Sequence, residues 1–249
     1  MAEDGVVDTE SGAARSGRDH RLLDMAHALT ADVADRVRDP RAPGLTLFGA
    51  GDASIVARLA LLERETARSL RNLQRNWVFD PFDEVGPRLD RRARVRGVAL
   101  NLLVPPRVGD RCPLFPDGLP HARFAPVDIA ALLIDDVTLL CEGPRTLRGY
   151  PTAWLTSDRM LVRQFIELWD ETHARSAALP VTHDLLTGRE LAMMRAVCRG
   201  EPTGRIATQN QVSPRTVERV VRELQDRLAV GSRPELVCRL LSGSRPQSP

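Results

Sequence analysis

The last quarter of the chain carries closely spaced helix-start signals, and these constrain the fold more than any other feature. Thr187 followed three residues later by Glu190 is the pattern of a capping box, in which each side chain bonds a backbone N–H of the other. Ser213 followed by Pro214 begins another helix, because serine accepts an N–H bond and proline has no N–H to lose. Pro234 opens a last helix. The region is therefore predicted to be a set of short, capped helices.

The helix that begins at Pro214 is amphipathic. Its apolar positions, spaced i, i+4, i+7 and i+11, are Val217, Val221, Leu224 and Leu228. Its opposite face carries Arg215, Glu218, Arg219 and Arg222. A short helix over residues 204–209 and a tight turn precede it. Alone, the arginines would be typical of an ordinary solvated face, but with the caps and the turn they favour a helix-turn-helix, whose second helix enters the major groove of DNA.

Residues 184–241 resemble the DNA-binding domain of the LuxR/GerE family. The matching residues are Leu186, Thr187, Arg189, Glu190, Gly200, Ile206, Ala207, Val212, Ser213, Thr216, Val217, Leu228, Val230, Ser232 and Arg233. The resemblance implies a four-helix, all-α domain with residues 214–227 as the recognition helix. The DNA-binding end of a sigma factor has a similar helical layout, but nothing upstream resembles the other regions of such a factor.

The resemblance also implies roles for single residues. Arg219 and Arg222 are expected to face base edges, because the planar guanidinium matches O6 and N7 of guanine. Arg215, Thr216 and Arg233 are expected to contact phosphates. The last helix often forms the dimer contact in the family, which here points to Leu236 and Leu240.

The sequence departs from the family pattern at two positions. Val220 replaces a residue that is often polar, and Glu218 stands where many relatives carry a basic or small residue. Glu218 either accepts a hydrogen bond from cytosine N4 or pairs with Arg222 one turn later, and the sequence leaves both alternatives open.

The basic residues are distributed unevenly and are all arginines. Residues 183–249 hold eleven arginines against seven acidic residues, a modest excess that suits contact with a polyanion. The chain contains no lysine, which excludes a Walker A phosphate loop, Schiff-base chemistry, a phosphodiesterase built on His-Lys pairs and a phospho-receiver of the usual kind.

The first part of the chain mixes helical and strand patterns, which predicts an α/β or α+β domain over residues 19–175. Helices are expected over 20–39, 53–75 and 82–96, and the apolar runs 130–135 and 137–141 predict a hairpin joined at Asp136. Ser157 is expected to cap a helix that runs through Trp169.

The order of elements over residues 45–175 resembles degenerate phospholipase-D-like sensor domains, including TrmB-like sensors. The order runs from Arg96-Gly97-Val98 through a strand, the Gly118-Leu119-Pro120 turn, a strand to Val127 and the hairpin, to the helix after Ser157. Catalysis in that superfamily requires His-x-Lys motifs, which are absent, so the resemblance implies sensing or dimerisation rather than hydrolysis.

Five segments follow from this organisation. Residues 1–18 are a disordered tail, 19–175 a sensor domain, 176–183 a linker, 184–243 the helix-turn-helix domain and 244–249 a second disordered tail. Cys112, Cys141, Cys198 and Cys238 show no paired metal spacing, and we expect no metal, cofactor or catalytic residue.

Taken together, the sequence predicts a cytoplasmic bacterial transcription regulator that binds double-stranded DNA as a homodimer. An unidentified small-molecule effector and RNA polymerase are its further expected partners, and no membrane contact is expected. The alternative is an enzyme whose N-terminal catalytic domain is recruited to DNA by the helix-turn-helix.

Overall fold

A computed structural model of the chain describes residues 7–39, 41, 44–77, 79–82, 85–180 and 183–242. The first part is an α/β unit built on an eight-stranded sheet, and a set of helices from residue 188 onward follows it. The predicted fold class, an α/β domain followed by an all-α helical domain, is confirmed. Within the described ranges, no helix is long and apolar enough to cross a membrane.

The elements are as follows. The strands are β1 (Leu45–Ala50), β2 (Ser69–Leu73), β3 (Ala99–Val104), β4 (Ala122–Phe124), β5 (Ala131–Ile134), β6 (Thr138–Gly143), β7 (Thr152–Thr156) and β8 (Ala177–Ala178). The helices of the α/β unit are α1 (Val7–Arg38), α2 (Asp52–Glu65), α3 (Val85–Val95), α4 (Arg107–Arg111), α5 (Phe115–Gly118) and α6 (Arg159–His173). The C-terminal helices are α7 (Gly188–Cys198), α8 (Thr203–Asn210), α9 (Pro214–Leu228) and α10 (Arg233–Leu241).

The strands lie in the order β1-β7-β6-β5-β2-β3-β4-β8. The run β2-β3-β4 is parallel, and the other neighbours are antiparallel. The predicted hairpin is β5 and β6, and its turn places Asp135 and Asp136 at φ values of 51° and 61°. Asp135 stabilises this turn because its carboxylate accepts backbone N–H bonds from Ala67, Arg68 and Ser69 at 2.9, 2.7 and 2.8 Å.

Helices cover both faces of the sheet. Leu29 of α1 and Phe165 of α6 are buried together with Leu139 of β6 in the core on one face. Leu62 of α2 is buried with Leu140 of β6 on the other. Successive side chains of a strand point to opposite faces, so neighbouring leucines of β6 serve two separate cores. The result is a three-layer unit with the sheet in the middle.

The helix predicted over residues 53–75 is wrong in its second half. Helix α2 ends at Glu65, and the chain returns as β2, which pairs with β3 on one side and β5 on the other. Leu70 and Leu73, which fall inside the predicted helix, lie in this strand. Backbone pairing on both sides outweighs the local helical pattern, because a central strand satisfies all of its backbone hydrogen-bonding groups.

The predicted segment ends also differ from the structure. Helix α1 begins at Val7, inside the segment predicted as a disordered tail over 1–18. Extending an existing helix adds one hydrogen bond for each residue fixed, so the packed part from Leu22 onward can support the turns before it. Strand β8 pairs with β4 and occupies the start of the predicted linker 176–183. The predicted tail over 244–249 lies outside the described residues.

Candidate nucleic-acid interface

A tight turn joins α8 to α9. Helix α8 ends at Asn210, and its C-cap residue Gln211 adopts the left-handed conformation with φ 56°. The N–H of Val212 then bonds back to the carbonyl of Ala207 at 3.0 Å. Ala207 is buried at 2% exposure. The Ser213 hydroxyl accepts the N–H of Thr216 at 3.1 Å and begins α9. The turn and the cap predicted for a helix-turn-helix are therefore present.

The inner face of α9 anchors the helix in the C-terminal core. Val217 and Val220 are fully buried, and Leu224 is buried at 1% exposure. Val220, which departs from the family pattern as an apolar residue, thus lies in the core and not on the exposed face. Helices α7 and α10 contribute Met194, Leu236 and other apolar side chains to the same cluster.

The outer face of α9 is exposed and carries the predicted base-contacting residues. Arg215, Glu218, Arg219 and Arg222 are all exposed, and Thr216 is half-buried. The helix that carries this face is 15 residues long and therefore about 22 Å in length. The structure brings these five residues onto one surface.

Two carboxylates hold Arg219. Its Nη1 donates to both oxygens of Glu223 at 2.6 Å, and its Nη2 lies 3.7 Å from Glu190, the capping-box residue of α7. The hydrogen bonds that Arg219 donates to Glu223 raise the pKa of the Arg219 guanidinium above its ordinary value. In the ranges that the structure describes, Glu218 and Arg222 form no ion pair with each other. Arg219 therefore forms ion pairs with neighbouring carboxylates, whereas Arg222 forms none with the residues that the structure describes.

Arg233 is half-buried and its guanidinium is used inside the domain. Nη1 donates to the hydroxyl of Thr203 at 3.1 Å, and Nη2 donates to the carbonyl of Glu201 at 2.8 Å. These bonds connect the start of α10 to the start of α8. The side-chain carboxylate of Glu201 also accepts a hydrogen bond from Arg199 at 2.8 Å, and this bond lowers the pKa of the Glu201 carboxyl.

The expectation that Leu236 and Leu240 form a dimer contact is not met by the structure. Both side chains are fully buried in the C-terminal core. A side chain that fills the core of its own domain cannot also lie on a surface that a second copy contacts. The exposed side of α10 carries Glu235, Cys238 and Arg239 instead.

The C-terminal helices pack against the α/β unit through contacts that the sequence did not indicate. The fully buried carboxylate of Asp117 in α5 accepts the N–H of Leu186 at 2.8 Å and both Nη atoms of Arg227, in the last turn of α9. Phe79 is buried in the C-terminal core, and Arg199 donates to the carbonyl of Pro81 at 2.8 Å. Local sequence patterns do not predict these contacts, because the residues that form them are distant in sequence.

No metal site is found in the described ranges, where no group of three or more His, Cys, Asp or Glu side chains could hold a metal ion.

The sequence pattern of the family described as bacterial regulatory proteins, luxR family (GerE), matches residues 184–240. A search of curated proteins gave no match.

Several solved structures are similar to the chain. TrmBL2, an archaeal chromatin protein, is 16% identical with a TM-score of 0.41, over 70% of this chain and 65% of its own length. Nuc, a phospholipase D family member from Salmonella typhimurium, is 12% identical with a TM-score of 0.41, over 55% of this chain and 99% of its own. VqmA of Vibrio cholera, solved with ligand and DNA, is 20% identical with a TM-score of 0.23, over 46% of this chain and 49% of its own.

The chain spans 65% of TrmBL2 and about half of VqmA. The family match, the capping box at Thr187 and the turn before α9 coincide over the same residues. Residues 184–240 are a helix-turn-helix domain of the luxR type found in bacterial regulatory proteins.

Proposed function

We propose that this chain regulates transcription by binding double-stranded DNA with the outer face of α9. The observation that carries the proposal is the exposed arginine face of the second helix in a luxR-type helix-turn-helix, with the opposite face fixed in the core. A rigid helix with arginines on its free side satisfies the geometric requirement for entering the major groove.

Within this surface we assign Arg222 the main base contact. Its guanidinium is exposed, and no carboxylate within salt-bridge distance competes for it in the described part of the chain. Arg219 is the second base-facing residue, but Glu223 and Glu190 offset its charge and fix its orientation. Glu218 makes no pair with Arg222, which favours its role as an acceptor for cytosine N4.

We assign the contacts with DNA phosphates to residues at the beginning of α9. Arg215 is exposed there, and the hydroxyl of Thr216 lies beside the Ser213 cap, at 2.9 Å from its oxygen. Backbone N–H groups at a helix start also favour phosphate oxygens. Arg233 contributes indirectly, because its bonds to Thr203 and Glu201 set the position of α8 relative to α10.

The remaining roles concern the α/β unit. We assign it the sensing of a small-molecule effector and the formation of a homodimer, since Leu236 and Leu240 are buried and unavailable for a dimer contact. A dimer would bind two half-sites as a two-fold or direct repeat, and contact with RNA polymerase and a cytoplasmic location belong to the same proposal.

The test is selection of bound sequences from a random DNA library, followed by gel shifts of the selected sites at two salt concentrations. We expect a shared motif and an affinity that falls as salt rises, because phosphate contacts release counterions. Failure to enrich any motif, with or without cell extract as a source of effector, would contradict the proposal.

The substitution Arg222→Ala tests whether the outer face of α9 contacts DNA bases. We expect it to weaken binding to the selected site by roughly ten- to a hundredfold while changing binding to unrelated DNA much less, because a bidentate base contact contributes about 1–3 kcal/mol. Arg239→Ala, which removes an exposed arginine from α10, is the matched control. Equal losses on selected and unrelated DNA would remove the base-contact role from Arg222.

A further inference from the structure

A cavity of about 400 Å³ lies between the sheet and the helices α2 and α3. Apolar side chains form most of its walls, among them Leu59 of α2, Leu89 of α3 and Leu102 of β3. Arg195, from α7 of the helix-turn-helix domain, also lines it. The volume falls in the range of pockets that hold small organic ligands, about 300–1,000 Å³.

One wall of the cavity is polar and has unused hydrogen-bonding capacity. Asn72, Gln74 and Asn76 lie at alternate positions of β2 and the segment after it, and all three line the cavity. Alternate residues of an extended chain face the same side. In the described part of the chain the side-chain amides of Asn72 and Gln74 make no hydrogen bond, although both residues are half-buried. Half-buried amides without a protein partner are available to hydrogen-bond a ligand in the cavity.

The charged groups of the cavity are mostly acidic. Glu63 is paired with Arg96, and Arg195 lies over the ring of Phe79 at 5.7 Å. The remaining charged groups in the lining are Asp80 and Asp90. Burial raises the pKa of the Asp90 carboxyl to about 6, against the opposing effect of Arg94 one turn later. A carboxylate that is poorly solvated and has no hydrogen-bond donor among the described residues favours a cation beside it.

We propose that this cavity binds an organic cation with an apolar body, its ammonium group against Asp90 and its hydrogen-bonding groups against Asn72 and Gln74. The inference rests on the proposed function, since it makes this ligand the effector of a DNA-binding regulator. Leu59 and Leu89 contact the apolar body, whose burial supplies the non-directional part of the affinity.

The segment after β2 connects the cavity to the helix-turn-helix domain. Trp77 lines the cavity, and two residues later Phe79 is buried in the C-terminal core. Pro81 then accepts the hydrogen bond from Arg199, at the end of α7. Arg195 takes part in both regions, because it lines the cavity and covers Phe79. A ligand in the cavity therefore contacts Trp77 and Arg195, which pack against the C-terminal core, and through them acts on the position of α7 and α9.

The test uses three probes with one apolar body: 1-naphthylmethylamine, 1-naphthalenemethanol and 1-naphthoate. Calorimetric titration of the full chain at about pH 8, where Asp90 is ionised and the amine is still largely charged, measures each affinity without DNA. We expect the amine to bind about tenfold or more tightly than the alcohol, and the carboxylate to bind least. Equal affinities, tighter binding of the carboxylate, or no amine binding up to about 5 mM would overturn the assignment.

Two variants locate the site and one serves as control. Asp90→Asn removes a poorly solvated charge, so it folds at least as well as the parent, and it should lose about tenfold in amine affinity while leaving the alcohol unchanged. Leu59→Phe narrows the cavity and should weaken the binding of both the amine and the alcohol. Asp110→Asn, an exposed carboxylate on α4 outside the cavity, should change neither. Unchanged amine binding by Asp90→Asn contradicts the proposal.

The DNA readout is kept separate so that the two proposals can fail independently. Amine binding that is lost in Asp90→Asn, in a chain that selects no DNA motif, would support the cavity assignment and reject the regulator. A selected motif without amine binding would support the regulator and reject the cavity assignment. If both hold, the amine should shift the affinity for the selected site, and an unchanged affinity would refute the coupling through Trp77, Phe79 and Pro81.

Discussion

Asp117 and Arg227 form a two-point ion pair, with Oδ1 3.1 Å from Nη1 and Oδ2 3.0 Å from Nη2, although 110 positions separate them in the chain. The Asp117 side chain is fully buried, and Arg227 is 17% exposed. The same carboxylate accepts the N–H of Leu186, and the Nε2 of His183 lies 3.7 Å away. Helix α9 is thus bound at its C-terminal end to the α/β unit, while Arg215, at its N-terminal end, is exposed.

Removing one partner of this pair should be strongly destabilising. Asp117→Ala leaves the Arg227 charge and the Leu186 N–H without an acceptor in a buried place, which typically costs about 3–5 kcal/mol. Chemical denaturation measures the change in the free energy of unfolding. The double variant Asp117→Ala, Arg227→Met should recover part of the loss, because it leaves no unpaired charge. A single variant that loses less than about 1 kcal/mol would show that the pair is solvated and does not fix α9.

The helix-turn-helix could be predicted from sequence because its signals are local. The capping box joins residues three positions apart, and both of its bonds are present, the Thr187 N–H to Glu190 at 2.9 Å and the Glu190 N–H to Thr187 at 3.2 Å. The Ser213 cap and the apolar spacing of α9 act over similarly short distances. Local patterns also gave the hairpin of β5 and β6.

What the sequence did not reveal depends on distant contacts. Leu70 and Leu73 fit a helix pattern, but β3 and β5 make their segment a strand. This strand and the residue after it place Asn72 and Gln74 in the cavity, so the cavity could not be inferred from the sequence either. Leu236 was assigned to a surface by family resemblance, whereas only the packing of α10 shows that it lies in the core.

The interior of α9 should not tolerate a charge. Val217 is fully buried, so Val217→Asp would place an unpaired carboxylate in the C-terminal core and should prevent that domain from folding. Circular dichroism and the loss of DNA binding report the outcome. The same substitution at Val95, which is 84% exposed at the end of α3, is the control and should change stability by less than about 0.5 kcal/mol. A folded Val217→Asp domain would show that this face of α9 is not part of the core.

The end of α9 offers a stabilising substitution. Ala229 is the C-cap residue and has φ 53°, a left-handed conformation that is unfavourable for residues with a Cβ atom by about 1–2 kcal/mol. Ala229→Gly removes that strain and adds about 0.5–1 kcal/mol of unfolded-state entropy, so a net gain of up to about 1 kcal/mol is expected. Ala192→Gly, inside α7, should instead lose about 1 kcal/mol. Thermal unfolding of both variants compares the two, and a loss at both positions would refute the argument from strain.

Asp90 should make the protein less stable as the pH rises. Burial raises the pKa of its carboxyl from 3.8 to about 6, so the folded state holds the proton more tightly than the unfolded chain does. The stabilising effect of that proton is complete below pH 3.8 and is lost as the pH rises through about 6, a change of about 3 kcal/mol.

His121 acts in the opposite direction in an overlapping window, because burial and then Arg94 lower its pKa from 6.5 to about 4. The contribution of Asp90 is therefore the difference between the parent and Asp90→Asn, measured by urea denaturation at several values between about pH 4 and pH 7.5. The variant should become progressively more stable relative to the parent as the pH rises through this range. A constant difference would mean that the Asp90 carboxyl titrates as it would in water, and the cavity would then lack the poorly solvated acid that its proposed ligand requires.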